Sequence, residues 1–239
     1  MDRDEEQPSD EPVQTTISGV DVQFRVASER ERRFLPDDVG IYDEMFEDMF
    51  SEMHGDDVFF DIGAHIGINS CVIGRRHPEI DIVCFEPHPQ TRRSLETNLE
   101  LNEIDALVMD CAISNSDGAI AFDTQHDTPG GMGEVRHSGQ GIETPVRTLD
   151  SIIKDDGVPS PTVIMSDIVG EEINLLRGGS MTFSSLTTRL AYLVTHDQPL
   201  ERLGSSKHEV EDLLRSYGFD ELEYLRDNFL KAKKSSQSG

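Results

Sequence analysis

The chain has 239 residues, 36% of them hydrophobic, enough for one α/β domain with a substantial core and too few for two large domains. Asp and Glu number 47 against 21 Lys and Arg, a formal net charge of −26. Such a surface repels phosphates, so no nucleic-acid partner is expected. Acid spread along a foldable sequence stays hydrated where water is scarce, as expected of a cytoplasmic protein from a high-salt cell.

Residues 1–12, MDRDEEQPSDEP, are acidic and contain proline, and are expected to be disordered. VQTTISGVDVQFRVAS (13–28) alternates with a period of two about Ser18-Gly19, which predicts a β-hairpin. Ile41, Met45, Phe46, Met49 and Phe50 fall at helical spacing and predict a helix over 38–53. Hairpin and helix form an N-terminal segment, 13–54, ahead of a main domain over 55–230. Within that domain VFFDIG (58–63) reads as a strand, 66–76 as a helix, DIVCFEP (81–87) as a strand and 88–102 as a helix. ALVMDCAIS (106–114) reads as one strand, and a short strand follows the turn Asn115-Ser116-Asp117-Gly118.

TPGGMGEVRHSGQG (128–141) is glycine-rich and aperiodic, a loop that either closes over a bound substrate or is a solvent-exposed hairpin loop. IETPVRTL (142–149) is a strand, with Asp150 positioned to cap the helix after it. TVIMSDI (162–168) is a strand, GEEINLLRGG (170–179) a helix ended by glycines, and RLAYLVTH (189–196) a strand. KHEVEDLLRSYGF (207–219) is an amphipathic helix, ELEYLR a last strand, and 231–239 a flexible polar tail. Strands alternating with helices predict a Rossmann-like α/β fold, a mostly parallel sheet with helices on both faces.

Cys71, Cys84 and Cys111 are odd in number and set in apolar surroundings, so they read as buried thiols in a reducing compartment. The eight histidines show no paired ligand spacing, and no metal is expected. No signal peptide pattern and no apolar run near ~18 residues is present, so no membrane partner is expected.

A parallel sheet binds its ligand at the carboxyl ends of its strands. Five ends carry polar groups: Asp61-Ile62-Gly63, Glu86-Pro87, Asp110-Cys111, Ser166-Asp167 and Thr195-His196. Gly63 and Gly67 let the backbone turn and approach a ligand, and the following helix begins with free N–H groups. A dinucleotide loop reads GxGxxG. Here Ala64 and His65 stand between the glycines, and Asp61 precedes them. An acid at that point suits a cationic ligand and repels a pyrophosphate, which points to S-adenosylmethionine over NAD. Glu86, 25 residues after Asp61, is placed to accept two ribose hydroxyls. Asp110 is placed to accept from an adenine amino group or to be a solvated strand-end acid, and His65 to touch the cofactor or simply to occupy a surface loop.

The strings DIGAHIGINS, CFEPHPQTRRSLETNLELN, CAISNSDG, PVRTLDSI and SDIVGEEINLLRGG, in this order and spacing, resemble the FkbM-type family of S-adenosylmethionine-dependent methyltransferases over roughly residues 55–225. The resemblance implies a class I methyltransferase fold and methylation of hydroxyl oxygens on sugars and other small molecules. It places Asp61, Gly63 and Gly67 at the methionine end of the cofactor, Glu86 on the ribose, and Asp110 and Cys111 beside the adenine. Asp167 falls at the substrate edge, with Glu172 supporting it. Where the family usually reads Lys-Ile-Asp-Val-Glu-Gly, this chain has Met165-Ser166-Asp167-Ile168-Val169-Gly170. That departure motivates an alternative, a non-catalytic S-adenosylmethionine-binding protein; an NAD-dependent oxidoreductase is a further one.

A neutral alcohol needs a base to take its proton as it attacks a methyl group. Asp167 and His196, ending strands at one edge, are the candidates. Asp167 also suits the N-cap of the helix 170–179, and His196 a strand-end histidine held by backbone. The acceptor expected is a small molecule or a glycan.

Overall fold

The computed structural model describes residues 11–35, 43–122, 142–202 and 204–235. Strands β1 (Val13–Ile17) and β2 (Val20–Phe24) form the expected antiparallel hairpin. Ser18 and Gly19 both take positive φ, 49° and 77°, as a tight two-residue hairpin turn requires. A short helix α1 (Glu29–Arg32) and a longer α2 (Asp43–Glu52) follow. The expected start of the longer helix, 38–42, lies outside the described residues.

Two strand–helix steps and a closing strand build one half of a sheet: β3 (Val58–Ile62), α3 (Ile68–Arg76), β4 (Asp81–Phe85), α4 (Pro89–Leu101) and β5 (Ala106–Met109). The strand expected over 106–114 breaks at Asp110-Cys111. Its second part, β6 (Ala112–Ile113), leaves the main sheet and pairs with β8 (Ile142–Arg147), which also pairs with β7 (Gly118–Phe122). The glycine-rich loop 128–141 lies outside the described residues. The other half comprises α5 (Leu149–Asp155), β9 (Val163–Ser166), α6 (Glu172–Gly178), α7 (Ser180–Ser184), β10 (Leu190–Val194), α8 (Asp197–Arg202), α9 (Lys207–Ser216), β11 (Glu221–Arg226) and β12 (Phe229–Lys233).

The seven-stranded order is β11-β12-β10-β9-β3-β4-β5. Strands β5, β4, β3, β9 and β10 are mutually parallel, and β12 runs antiparallel between β10 and β11. The strand order reverses between β3 and β9, so the carboxyl ends of those two strands border the crevice where such sheets take their ligands. Because side chains alternate across a strand, Phe59 joins one apolar layer and Phe60 and Ile62 the other. The hairpin, α2, α3 and α4 cover the first layer with Phe24, Phe46, Cys71 and Leu95; α5, α6 and α9 cover the second with Ile152, Leu176 and Leu214.

The tail expected from 231 is corrected. Lys231 and Lys233 lie in β12 and reach α2: Lys231 Nζ meets Asp48 Oδ2 at 2.6 Å and Glu52 Oε1 at 2.8 Å, and Lys233 Nζ meets Glu52 Oε2 at 2.8 Å. Basic residues that read as solvated are the partners of the helix that covers the sheet. The Asp150 cap is also corrected. The Thr148 side chain accepts from Ser151 N–H at the start of α5, while Asp150 accepts from the N–H groups of Met181 and Thr182 and so serves α7. Helix α6 begins at Glu172, with Glu171 as its N-cap, so Asp167 does not cap it.

Asn98, fully buried on α4, ties the hairpin to the loop after β3. Its Oδ1 accepts from Arg25 N–H at 2.7 Å, and its Nδ2 donates to Ile66 O at 2.9 Å. Asn102, one turn on, exchanges both hydrogen bonds with the Gln23 backbone, at 2.9 and 2.7 Å. Asn98→Ala leaves the buried Ile66 carbonyl without its Asn98 donor, at a cost of about 1–3 kcal/mol, and also removes the acceptor of the part-buried Arg25 N–H. Urea unfolding in molar potassium chloride is therefore expected to show a loss of about 2 kcal/mol or more, against a change within ~0.5 for the exposed control Glu96→Ala. Equal unfolding curves for the two variants would remove Asn98 as a tie.

Candidate active site

The candidate catalytic and cofactor-binding residues Asp61, Gly63, Ala64, His65, Gly67, Glu86, Asp110, Cys111, Asp167 and His196 lie at the carboxyl ends of β3, β4, β5, β9 and β10 or in the loops that follow. Asp61 ends β3 with 1% of its surface exposed. Its Oδ2 accepts from Ser70 Oγ at 2.5 Å and Ser70 N–H at 3.2 Å, in the first turn of α3, where a helix N-terminus favours negative charge. Burial pushes its carboxyl up to about 6, with the Ser70 and Asn69 hydrogen bonds acting against the rise.

The loop between β3 and α3 is pressed from both sides. Gly63 has φ +82°, and a Cβ there would stand 2.6 Å from the Asp167 carbonyl oxygen; Gly67 has φ +90°, and a Cβ would stand 2.7 Å from Leu95 Cδ1. The N–H groups of Gly63 and Ala64 both donate to Phe85 O, binding the loop to the end of β4. His65 also has positive φ, 52°, and its ring packs against Phe34 with centroids 4.2 Å apart.

Glu86, 6% exposed, stands where β4 ends. Its Oε2 accepts from His65 N–H at 3.0 Å and its Oε1 from His88 N–H at 2.8 Å. His88 is also the N-cap of α4, with Nδ1 accepting from Thr91 N–H at 3.2 Å. Burial pushes the Glu86 carboxyl up to about 7, against the pull of the His88 and His65 N–H groups. Asp110 is exposed beyond β5, and Cys111 beside it is buried, its thiol pushed up to about 12 by burial.

On the other side of the switch point, Asp167 follows β9 and His196 follows β10. Their side chains come to 3.9 Å, His196 Nε2 to Asp167 Oδ1, and His196 Nδ1 lies 3.5 Å from Glu172 Oε1. Glu172 is fully buried, while Asp167 keeps 44% of its side chain exposed. Burial raises the Asp167 carboxyl above its ordinary value, with His196 opposing; that exposure leaves the desolvation incomplete. The imidazole of His196 is raised, first by its hydrogen bond to Glu172, with burial opposing and Asp167 adding. The sequence offered Asp167 and His196 as separate candidates; the fold places them together with Glu172, 24 residues from His196 along the chain.

Met165 is 2% exposed in the apolar layer, in register between Asp61 on β3 and Tyr192 on β10, and so has almost no surface to offer an acceptor. Val169 is half-buried in the turn before α6.

The residues present fit S-adenosylmethionine. A carboxylate oxygen has two acceptor directions. Each Glu86 oxygen uses one on a loop N–H and, among the described residues, keeps one for a hydroxyl of a ribose. The loop that would face a pyrophosphate in a dinucleotide site is instead lined by Asp61 and Glu86.

The raised Glu86 carboxyl sets a pH dependence. Its folded value, about 7, lies above the ordinary 4.5, so the folded protein holds this proton more tightly. Its stabilising contribution is full below about 4.5 and is lost as pH rises through about 7. In ligand-free protein the melting temperature of the wild type, relative to Glu86→Gln, is expected to rise as pH falls from 8 to 5. A difference that stays constant with pH would show that Glu86 does not titrate in this range.

Residues 61–221 match the Methyltransferase FkbM domain. The hexuronic acid methyltransferase AglP of Haloferax volcanii is 27% identical over 177 residues, covering 73% of this chain and 71% of that protein. The 2-O-methyltransferase NoeI of Sinorhizobium fredii is 26% identical over 68% of this chain and 72% of its own length. The 31-O-demethyl-FK506 methyltransferase FkbM of Streptomyces tacrolimicus is 23% identical, over 75% and 80%. Among solved structures, the T. thermophilus 16S rRNA N2 G1207 methyltransferase RsmC in complex with AdoMet and guanosine superposes with a TM-score of 0.52 at 15% identity, covering 94% of this chain and 50% of that one. At that identity the likeness shows the fold, a class I methyltransferase fold. The family match decides against the oxidoreductase and non-catalytic alternatives: the chain belongs to the FkbM methyltransferase family and is an S-adenosylmethionine-dependent methyltransferase.

Proposed function

We propose that this enzyme methylates a hydroxyl oxygen of a sugar or another small hydroxylated acceptor, with the acceptor at the ends of β9 and β10. The observation that carries this is the 3.9 Å approach of His196 Nε2 to Asp167 Oδ1 across the switch point from the Glu86 side. Two relatives named for a 2-O and a 31-O position support oxygen as the atom methylated, and the relative named for a hexuronic acid supports a sugar acceptor.

In this reading Asp61, Gly63, Ala64, His65 and Gly67 cradle the methionine end of the cofactor. Glu86 accepts the ribose hydroxyls, and Asp110 and Cys111 flank the adenine. S-adenosylmethionine supplies an activated methyl group. The protein holds the acceptor oxygen in line with it and takes the hydroxyl proton into the Asp167–His196 pair. The catalytic unit is the segment 55–230, braced by 13–54.

The acidic composition supports a high-salt setting, and three buried free thiols support a cytoplasmic one; among the described residues no helix is long and apolar enough to cross a membrane. The charge also argues against a nucleic-acid acceptor.

Titration calorimetry in molar potassium chloride is expected to show S-adenosylhomocysteine binding that Glu86→Ala weakens by about 1.5–3 kcal/mol, the range for hydrogen bonds to a charged group. Unchanged affinity would take Glu86 out of the site. Labelled-methyl transfer into a pool of neutral and uronic sugars tests the acceptor class; label appearing only on nitrogen or carbon acceptors would defeat it. Melting temperature is expected to climb with potassium chloride well past the concentration that screens ordinary surface pairs. A flat response would defeat the high-salt account.

A further inference from the structure

We infer that Glu172 is a positioning residue that makes His196, and not Asp167, the group taking the acceptor proton: it holds Nδ1–H of the imidazole and leaves Nε2 facing Asp167 and the acceptor. This rests on the methyl-transfer reading above and deepens it. Glu172 sits in the first turn of α6 with no exposed surface. Its Oε1 accepts from Gly170 N–H at 3.2 Å and stands 3.5 Å from His196 Nδ1. Its Oε2 has no hydrogen-bond partner among the described residues. A buried carboxylate with acceptor capacity unspent favours a proton or a cation beside it, and His196 is the imidazole in contact.

An imidazole that donates Nδ1–H to one carboxylate must present the lone pair of Nε2 on its opposite side. On that side Asp167 Oδ1 lies at 3.9 Å, and 23% of the His196 side chain is exposed. The groups that face the ring are Glu172 from α6, Asp167 from the end of β9, and Lys207 from α9, whose Nζ is drawn to Asp197 Oδ2 at 3.1 Å. Two carboxylates therefore stabilise the imidazolium that proton transfer would create, and Lys207 is partly neutralised by Asp197. Asp167, with 44% of its side chain in solvent, is left to accept a hydrogen bond from a neighbouring hydroxyl of the acceptor and orient it.

The step balances. The acceptor O–H proton passes to Nε2, the oxygen's electron pair forms the bond to the methyl carbon, and the pair of the breaking carbon–sulfur bond stays on sulfur. One positive charge is lost at sulfur and one is gained on the imidazole, between Asp167 and Glu172. The proton then leaves to solvent through the exposed face of the ring.

The test is long-range proton–nitrogen correlation spectroscopy on labelled protein saturated with S-adenosylhomocysteine in molar potassium chloride, for wild type, Glu172→Gln and Asp167→Asn. Neutral His196 is expected to carry its proton on Nδ1, and Glu172→Gln to lower its titration midpoint by about 1 unit or more, as loss of an adjacent opposite charge does. Asp167→Asn is expected to leave the tautomer unchanged. A proton on Nε2 in the wild type, or a midpoint that Glu172→Gln does not move, overturns the proposal. Glu172→Asp, which keeps the charge, serves where the glutamine variant fails to fold. In labelled-methyl transfer to a pool of neutral sugars, the acid limb of the rate is expected to move to lower pH in Glu172→Gln, with S-adenosylhomocysteine affinity unchanged. An unmoved limb would also overturn it. A wild type that transfers no label counts against the methyl-transfer reading, while the tautomer result still decides the role of Glu172.

Discussion

The structure around the site depends on how two buried carboxylates, Asp61 and Glu86, are satisfied. Each sits at the end of a strand with almost no exposed surface, and each is pushed up by burial. Burying a carboxylate is tolerable only with donors aimed at it. For Asp61 the donors are the hydroxyl and N–H of Ser70 in the first turn of α3. For Glu86 they are the N–H groups of His65 and His88, one from each of the loops that begin α3 and α4. The same contacts that make the carboxylates affordable fix the loop between β3 and α3. Its glycines are then dictated by clearance, because a Cβ at Gly63 or Gly67 would meet the Asp167 carbonyl or Leu95.

That loop is held from behind as well. Asn98 joins Ile66 O to the N–H of Arg25, and Phe34 packs on the His65 ring, so the N-terminal hairpin and the segment after it bear on the Asp61–Glu86 side of the sheet. On the far edge, Lys231 and Lys233 of β12 hold α2 through Asp48 and Glu52, and Tyr192 donates to the same Asp48 at 2.5 Å. In a chain with so few lysines, these two are spent on joining a covering helix to the sheet.

The part of the candidate site around Asp61 and Glu86 was legible in the sequence because its signals are local. Asp61, the two glycines and Glu86 lie within one strand–helix–strand unit, and period-two and helical spacing placed that unit correctly. The part at Asp167 and His196 was less legible. Asp167 and His196 could be seen as strand ends, but their meeting at 3.9 Å, and Glu172 as the third member, depend on β9 and β10 being neighbours, which no local pattern encodes. Helices α7 and α8 are too short for a period to show. Strand β12 was hidden because KAKK looks like a solvated tail until its partners on α2 are known. The break at Asp110-Cys111 was hidden because apolar residues continue through it, and only pairing with β8 shows that the chain has left the main sheet.

The central claim is that the carboxyl edge from β3 to β10 is one site, with the cofactor on Glu86 and the acceptor chemistry at Asp167 and His196. A crystal structure with S-adenosylhomocysteine bound tests it most directly. The account predicts both ribose hydroxyls on the Glu86 carboxylate, the methionine end along residues 61–67, and the sulfur on the Asp167–His196 side. A ligand whose ribose lies away from Glu86, or whose sulfur is separated from Asp167 and His196 by the protein, would contradict it.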